Sequence, residues 1–340
     1  MNNFKDKKID YKQYVVDSQL RYFKPHATNI EKSFAEEIAF SLNEDSKFIS
    51  PKFFYDKKGS NLFESICSVP EYYPTRTEIS ILKKLEHDLP SYLNENVRLV
   101  ELGSGASVKT RLILDVFTKL QPKTEYFPID ISEILTESSE QLLKDYATLN
   151  ITGIIDTYEG GLEFLQNYDD KTNLIIFLGS SFGNFSPDDG KIFLKKIFST
   201  MKQGDLFLIG LDLVKNKKIL ESAYDDSQGV TAKFNLNVLS RINDELDADF
   251  IIDNFSHYSI YNENEQRIEM NLKSLISQSV IIKKSNLSLN LDEGELIHTE
   301  YSHKYKPSQI KSLLVDVGFK IKNMWLDDKK YFSLTLVSKN

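Results

Sequence analysis

The sequence predicts an α/β protein in which a parallel sheet is covered by helices on both faces. Three observations support this prediction. From about residue 96 onward, short apolar runs alternate with helical patterns. A helix near the C-terminus precedes two strand-like runs, which predicts a terminal antiparallel hairpin. Between the fifth apolar run and that helix lies a block in which the pattern of apolar residues changes, and this change predicts an inserted α+β domain.

Five apolar runs are expected to form the parallel strands. In order they contain VRLVELGSG, TEYFPIDIS, ITGIIDTYEG, NLIIFLGSSFGN and DLFLIGLDL. Intervening patterns such as VKTRLILDVFTKL, with an apolar stripe through Leu112 and Val116, predict covering helices. The last helix, PSQIKSLLVDVGF, has Pro307 near its start and Gly318 at its end, and the hairpin KIKNMWLDDKKYFSLTLV follows it.

The inserted block begins with a long helical pattern, TAKFNLNVLSRINDEL, and continues as alternating strand-like runs ending in GELIHTEYSHKY. The chain is therefore expected to divide into four segments. Residues 1–75 form a mainly helical part that joins the inserted block, and residues 76–213 form the main sheet domain. Residues 214–304 form the inserted α+β block, and residues 305–340 complete the sheet domain. A ligand is expected between the block and the carboxyl ends of the parallel strands.

Composition disfavours several classes of function. The 340 residues are 41% hydrophobic and 27% charged, which is typical of one or two globular domains. A net charge of −8 and a pI near 5.3 argue against nucleic acid as the main partner. No apolar run suits a membrane helix, and the N-terminus MNNFKDKKID lacks the apolar core of a signal peptide. A single cysteine, Cys67, leaves no internal disulfide and fits the reducing cytoplasm.

Two motifs indicate an adenosine-containing ligand. Gly103 and Gly105 follow a predicted strand and open a helix, where backbone can approach a ligand closely. The dinucleotide fingerprint has a third glycine where this chain has Val108. Asp130 ends the next strand, where a carboxylate can hold ribose hydroxyls, although DISE also has helix-capping chemistry. Without the third glycine, S-adenosylmethionine is favoured over a dinucleotide.

Two further loops carry polar groups suited to a substrate. FLGSSFGNFSP ends the fourth strand and offers bare backbone at Gly179 and an amide at Asn184, with a plain turn as the equal alternative. PEYYPTRTE contains Tyr72, Tyr73 and Arg76. Phenols and a guanidinium can hold a carboxylate, and phenol faces favour an alkylated ammonium, but tyrosines beside prolines also form packed corners.

The strand ELIHTEYSHKY raises a similar choice. A period of two places His298, Glu300 and Ser302 on one face and Thr299 and Tyr301 on the other. The polar face is either an ordinary solvated edge or a clamp for N–H groups. The five histidines are scattered without metal-ligand spacing, so metal-free chemistry is expected.

The chain resembles the histidine-specific N-alpha-methyltransferases, which make hercynine, the trimethylbetaine of histidine, for ergothioneine biosynthesis. The resemblance runs from FFYDKKGSNLFESI to the end, through EYYPTRTE, ELGSGASVKT, PIDIS, FLGSSFGNF, AYDDSQGVTAKFNLNVLSRIN, RIEM and TEYSHKY in the family's order. It implies a Rossmann-like class I S-adenosylmethionine-dependent methyltransferase sheet with an inserted substrate-binding domain. It also implies S-adenosyl-L-methionine as co-substrate and no metal.

The resemblance implies roles for individual residues, motif by motif. Those implied to contact S-adenosylmethionine are Tyr55, Gly103, Lys109, Asp130, Thr157 and Tyr158, with Asp156 replacing one of the last two if the register shifts by one. Those implied to contact histidine are Tyr72 and Tyr224 at the carboxylate, Asn184 and the Gly179 backbone at the α-amine, Glu300 and Ser302 at the imidazole, and Phe63, Thr231 and Met270 along the pocket. Asn184 and Tyr55 are the catalytic candidates, the latter through a water that accepts the amine proton.

Three alternatives compete with this interpretation. The first is N-methylation of another small-molecule amino acid or amine such as tryptophan, which Met270 and Glu300 disfavour. The second is an NAD-linked oxidoreductase, which the absent third glycine and the terminal hairpin disfavour. The third is a non-catalytic S-adenosylmethionine sensor, which the presence of Asn184 and the tyrosines disfavours. The expected protein is a cytoplasmic monomer that acts on histidine and its mono- and dimethyl forms.

Overall fold

The computed structural model describes most of the chain, namely residues 11–26, 33–94, 96–105, 108–132 and 134–339. The segment MNNFKDKKID and two residues of the glycine motif, Ala106 and Ser107, lie outside the described residues. Within the described part, no helix has the length and apolar character needed to cross a membrane.

The strands of the described residues are, in chain order, β1 (Tyr11–Val15), β2 (Leu20–Pro25), β3 (Arg98–Leu102), β4 (Thr124–Asp130), β5 (Leu149–Ile155), β6 (Asn173–Phe177), β7 (Leu206–Asp212), β8 (Phe255–Asn262), β9 (Arg267–Ser274), β10 (Gln278–Ile282), β11 (Leu287–Leu291), β12 (Leu296–His303), β13 (Lys320–Leu326) and β14 (Phe332–Ser338). The α-helices are α1 (Phe34–Leu42), α2 (Lys57–Ser68), α3 (Tyr73–Asp88), α4 (Val108–Leu120), α5 (Ile134–Asp145), α6 (Tyr158–Tyr168), α7 (Pro187–Thr200), α8 (Lys217–Tyr224), α9 (Val230–Leu246) and α10 (Pro307–Val317).

One large sheet has the strand order β1-β2-β5-β4-β3-β6-β7-β14-β13 among the described residues. Its pairings are parallel from β2 through β7 and antiparallel at both ends. All seven residues of β7 are buried, as expected for a strand covered by helices on both faces. The five predicted parallel strands, the covering helices and the terminal hairpin are confirmed, and with them the predicted fold class.

The N-terminal segment differs from its prediction. Residues Tyr11–Pro25 were expected within a mainly helical part, but β1 and β2 form a hairpin whose second strand pairs with β5. Leu20 and Tyr22 are buried against the sheet while Arg21 between them is exposed, which is the alternation of a half-buried strand. This hairpin therefore belongs to the large sheet, whereas α1 and α2 pack in the core of the inserted block.

A second hydrophobic core lies around the inserted block. It combines α1, α2, α8 and α9 with a three-stranded antiparallel sheet in the order β12-β9-β8 and with the two-stranded sheet β10-β11. Leu42, Leu239, Leu272 and Ile297 are fully buried in it. The proposed bounds of the domains remain a prediction, amended by the placement of the N-terminal hairpin.

Candidate active site

A pocket lies where the inserted block meets the loop that follows β6. Its empty volume is about 570 Å³, part of which is open to solvent. Helices α2, α8 and α9 and strands β9 and β12 contribute the facing walls. The residues predicted from the sequence that line it are Tyr55, Phe63, Tyr72, Gly179, Asn184, Tyr224, Thr231, Met270, Glu300 and Ser302. Residues more than 240 positions apart in the chain thus share one cavity.

Strand β12 supplies two polar groups to this pocket, but its alternation is not regular. Glu300 and Ser302 line the pocket, whereas the ring of His298 stacks near Tyr301 at 3.8 Å between centroids. The register with β9 shifts between His298 and Glu300, which makes Thr299 the extra residue of a β-bulge. The prediction that His298 shares the face of Glu300 was therefore wrong, because the bulge reverses the alternation.

Glu300 brings a buried carboxylate to the pocket. The residue is 8% exposed, and its side chain accepts one long hydrogen bond of 3.4 Å from Asn184 Nδ2. Burial raises the pKa of Glu300 to about 7, although Lys304 and Asn184 act in the opposite direction. A carboxylate with so few donors is suited to accept a hydrogen bond from a ligand.

The buried charge of Glu300 is expected to make stability depend on pH. Its folded pKa of about 7 exceeds the ordinary 4.5, so the stability associated with the protonated form is lost as pH rises through 7. We expect Glu300→Gln to be more stable than the unchanged protein at pH 8, by on the order of 2 kcal/mol. This difference in stability should vanish below pH 4.5, the ordinary pKa of a glutamate. Thermal denaturation at both pH values measures it, and a variant less stable at pH 8 would contradict the account.

Aromatic rings form one side of the pocket. Tyr55 lies 5.8 Å from Phe63 and 5.9 Å from Phe234, centroid to centroid, and Tyr72 lies 6.4 Å from Phe63 and 6.2 Å from Tyr224. Phe234 lies in the long helical pattern that opens the inserted block, and the sequence analysis gave it no place in the pocket. Such a wall is suited to an ammonium group that loses N–H bonds as it is alkylated.

In the segment PEYYPTRTE, Arg76 and Tyr73 do not take part in holding a carboxylate in the pocket, as was considered from the sequence. The guanidinium of Arg76 donates to the carbonyl oxygens of Val69, Pro70 and Tyr72, at 2.6 to 3.0 Å. Arg76 therefore fixes the turn that precedes α3 and does not face the pocket as a carboxylate ligand. The hydroxyl of Tyr73 likewise points away and donates to Asp212 Oδ2 at 2.6 Å.

Glu78 connects the pocket to a residue predicted to contact S-adenosylmethionine. Its fully buried carboxylate accepts the Gly179 N–H at 2.9 and 3.1 Å and pairs with Lys109 Nζ at 2.9 Å. Gly210 leaves the room for this, because a Cβ there would lie 2.4 Å from Glu78 Oε1. The sequence analysis gave Glu78 no role, although it closes the same tyrosine-rich motif.

The other predicted cofactor residues lie at the carboxyl ends of three adjacent strands. Gly103 follows β3 with φ of +72°, and an added Cβ would lie 2.8 Å from the Tyr158 hydroxyl. Asp130 ends β4, and its carboxylate accepts the Ser132 N–H at 2.9 Å. Burial raises the pKa of Asp130. An open backbone turn beside a carboxylate and a phenol fits an adenosine group in this kind of fold.

Thr157 and Asp156 of the stretch DTYE make different contacts. Thr157 caps helix α6, because its hydroxyl accepts the Gly160 N–H at 3.1 Å. Asp156 carries the carboxylate at the end of β5 and accepts from the Thr157 N–H at 2.7 Å and from the Tyr11 hydroxyl at 2.5 Å. The Thr157 hydroxyl is thus engaged in capping, and which residue of this turn contacts an adenine stays a prediction.

A substitution at Gly103 tests this end of the site. We expect Gly103→Ala to weaken S-adenosylmethionine binding by roughly tenfold or more, because the new Cβ meets the Tyr158 hydroxyl at positive φ. Adding Tyr158→Phe should recover part of the loss, since the next ring atom is 3.6 Å away. Calorimetric titration of both variants, with Tyr158→Phe alone as control, measures this. No recovery would mean that backbone strain accounts for the whole effect.

Among the described residues, no group of three or more His, Cys, Asp or Glu side chains is arranged to hold a metal ion. The free thiol of Cys67 is half-buried.

Comparison with known proteins shows the relationships of the chain. A family model described as histidine-specific methyltransferase, SAM-dependent, matches residues 34–339. The histidine N-alpha-methyltransferase of Mycolicibacterium smegmatis is 35% identical over 91% of this chain and 96% of that protein. The ergothioneine biosynthesis protein 1 of Schizosaccharomyces pombe is 27% identical over 92% of this chain and 42% of that protein. An L-tryptophan methyltransferase of Psilocybe serbica is 26% identical over 79% of this chain and 81% of that protein.

Proposed function

This chain belongs to the family of histidine-specific, S-adenosylmethionine-dependent methyltransferases, and we propose that it methylates the α-amino group of free L-histidine. Three successive transfers give hercynine, which serves ergothioneine biosynthesis. The observation that carries the choice of substrate is the buried, donor-poor carboxylate of Glu300 in the pocket. An imidazole N–H supplies the donor that this carboxylate lacks.

The imidazole is recognised by Glu300 and Ser302, which lie two residues apart on the pocket face of β12. An ionised carboxylate that accepts an N–H forms a strong, charge-assisted hydrogen bond. A side chain without an N–H at this place leaves Glu300 buried and unpaired, and such mismatches discriminate strongly between substrates.

Other side chains of the pocket hold the amino acid backbone of the substrate. The phenols of Tyr72 and Tyr224 donate to the carboxylate, and Asn184 with the Gly179 backbone holds the α-amine. Phe63, Thr231 and Met270 fill the space along the side chain.

Methyl transfer to an amine is an in-line displacement, so orientation of the reacting nitrogen provides much of the rate enhancement. When bound, S-adenosylmethionine supplies the methyl group on its sulfonium. Tyr55, Gly103, Lys109, Asp130 and the 156–158 turn would hold it. Asn184 accepts and donates through one amide, so it can orient the amine at each stage of methylation. A water held by Tyr55 passes the proton of the amine on to bulk solvent, because the reacting nitrogen must be neutral.

The three transfers need a pocket that tolerates a growing ammonium group. The aromatic wall formed by Tyr55, Phe63, Phe234 and Tyr72 satisfies this, because ring faces attract a cation without requiring N–H donors. The substrates are therefore L-histidine and its mono- and dimethyl forms. We place the enzyme in the cytoplasm as a monomer without nucleic-acid, membrane or metal partners.

The deciding experiment is incubation with S-adenosylmethionine and a panel of free amino acids, read by mass spectrometry. Histidine is expected to gain three methyl groups while tryptophan and the others remain unchanged. Methylation of another amino acid, with histidine unmodified, would overturn the substrate and keep the reaction class. Absence of S-adenosylmethionine binding would overturn both.

A further inference from the structure

A buried ammonium group stands directly behind two hydroxyls of the pocket. The side chain of Lys304 has no solvent exposure, and the pocket walls do not include it. Its Nζ lies 2.8 Å from the Tyr224 hydroxyl, 2.9 Å from Ser302 Oγ and 2.9 Å from Asp212 Oδ2. An ammonium has three N–H groups, so these three oxygens account for all of them.

These contacts fix the direction of the hydrogen bonds at the pocket. Because the ammonium of Lys304 can only donate, the oxygens of Tyr224 and Ser302 both accept from it, and their own O–H bonds point elsewhere. The two oxygens are 2.8 Å apart, so one O–H proton is used between them. One O–H proton remains for a ligand. The hydroxyl pair therefore presents a single donor to the pocket.

The charge behind this pair is held in place by a second layer. The buried carboxylate of Asp212 pairs with Lys304 and with Lys215, whose Nζ is 2.5 Å from Oδ1, and also accepts from the Tyr73 hydroxyl. Within this cluster two ammonium groups face one carboxylate, while Asp327 acts on Lys215 and the pocket residue Glu300 acts on Lys304 from outside it. The N–H of Asp212 donates to Ser180 Oγ at 3.0 Å, which ties the cluster to the pocket loop.

We propose that Lys304 is a positioning residue that sets Tyr224 and Ser302 as a single O–H donor backed by a positive charge, so that the pocket selects substrates with a free carboxylate. An amino acid with an ionised carboxylate then binds in preference to its amide or its decarboxylated amine. This inference rests on the proposed function, because it takes the substrate carboxylate to lie against Tyr224. Neutral surroundings at Tyr224 would not distinguish these ligands by charge.

The test compares histidine, histidinamide and histamine by calorimetric titration against the full chain and its Lys304→Met variant. We expect Lys304→Met to weaken histidine binding by about tenfold or more and to change histamine binding by less than about threefold. S-adenosylmethionine affinity should remain unchanged, which reports that the variant is folded. An unchanged ratio of histidine to histamine affinity would overturn the inference.

Failure of the proposed function gives a different result, because the unchanged protein would then not bind histidine at all. Lys304→Gln serves if Lys304→Met loses S-adenosylmethionine binding, since its amide keeps a polar contact with Asp212 without the charge. The same fall in the affinity ratio is expected for it. A double-mutant cycle with Tyr224→Phe adds a second readout, because an effect exerted through the hydroxyl must be smaller in the Phe background. Strictly additive losses would assign Lys304 a role in folding only.

Discussion

Glu300→Ala is expected to weaken histidine binding by roughly 100-fold, equivalent to about 3 kcal/mol, while leaving S-adenosylmethionine binding within about threefold. The reason is that the variant removes the acceptor for the imidazole N–H from a pocket where water competes poorly. Glu300 is almost fully buried, and among the described residues its side chain accepts one long hydrogen bond, from Asn184. Separate calorimetric titrations with histidine and with S-adenosylmethionine measure the two affinities.

Glu293→Ala is the matched control for this variant. Glu293 precedes the same strand but is exposed to solvent, so its loss removes a carboxylate without touching the pocket. Both affinities should stay as they are in the unchanged protein. If Glu300→Ala reduces the affinities for both ligands equally, the carboxylate has a structural role instead of contacting the imidazole.

Asn184→Ala is expected to reduce kcat by about 100-fold with a smaller change in KM for histidine. The side chain lines the pocket beside Gly179 and is the amide placed to orient the reacting amine. Losing it removes one long hydrogen bond to Glu300 but leaves Glu300 itself and the carboxylate contacts in place, and it allows the nitrogen to rotate away from the line of transfer. Steady-state kinetics with product masses resolved into mono-, di- and trimethyl forms measures the effect.

The control for Asn184 is Asn167→Ala, which removes an exposed amide that donates to the carbonyl oxygen of Glu163 in the same helix. Its kinetics should match those of the unchanged protein. A variant at position 184 that keeps kcat but raises KM tenfold would show that Asn184 contributes to binding alone. Orientation would then have to come from the Gly179 backbone.

The parallel core of the fold was predictable because its sequence signals are local and strong. Each of the strands β3 to β7 is a short, mainly apolar and mostly buried run, and β14 pairs beside β7 as the terminal hairpin required. The β1 strand, with the letters YKQYV, carries no such signal, since four of its five residues are exposed. Its place depends on pairing with β2, which joins a strand about 130 residues away.

The residues that line the pocket could be predicted from the sequence, but the charged residues behind them could not. Pocket residues such as Tyr72 and Glu300 stand in motifs, whereas a buried lysine or aspartate looks like an ordinary surface charge in a sequence. Lys304 follows Ser302 by two residues and comes directly after β12, so continued alternation was the available signal for it. Asp212 ends a fully buried strand, and that position was the available signal for this buried aspartate. No sequence signal marked the bulge at Thr299, because the bulge depends on the register with β9.

The N-terminal hairpin has a practical consequence for anyone shortening the chain. The family match begins at residue 34, so a protein trimmed to that boundary would lose β1 and β2. The edge of β5 would then present unpaired backbone groups beside Ile151 and Ile154, which invites self-association between molecules. The carboxylate of Asp156 would also lose the Tyr11 hydroxyl. A trimmed enzyme is thus expected to precipitate and bind its methyl donor poorly even though every shared motif is retained.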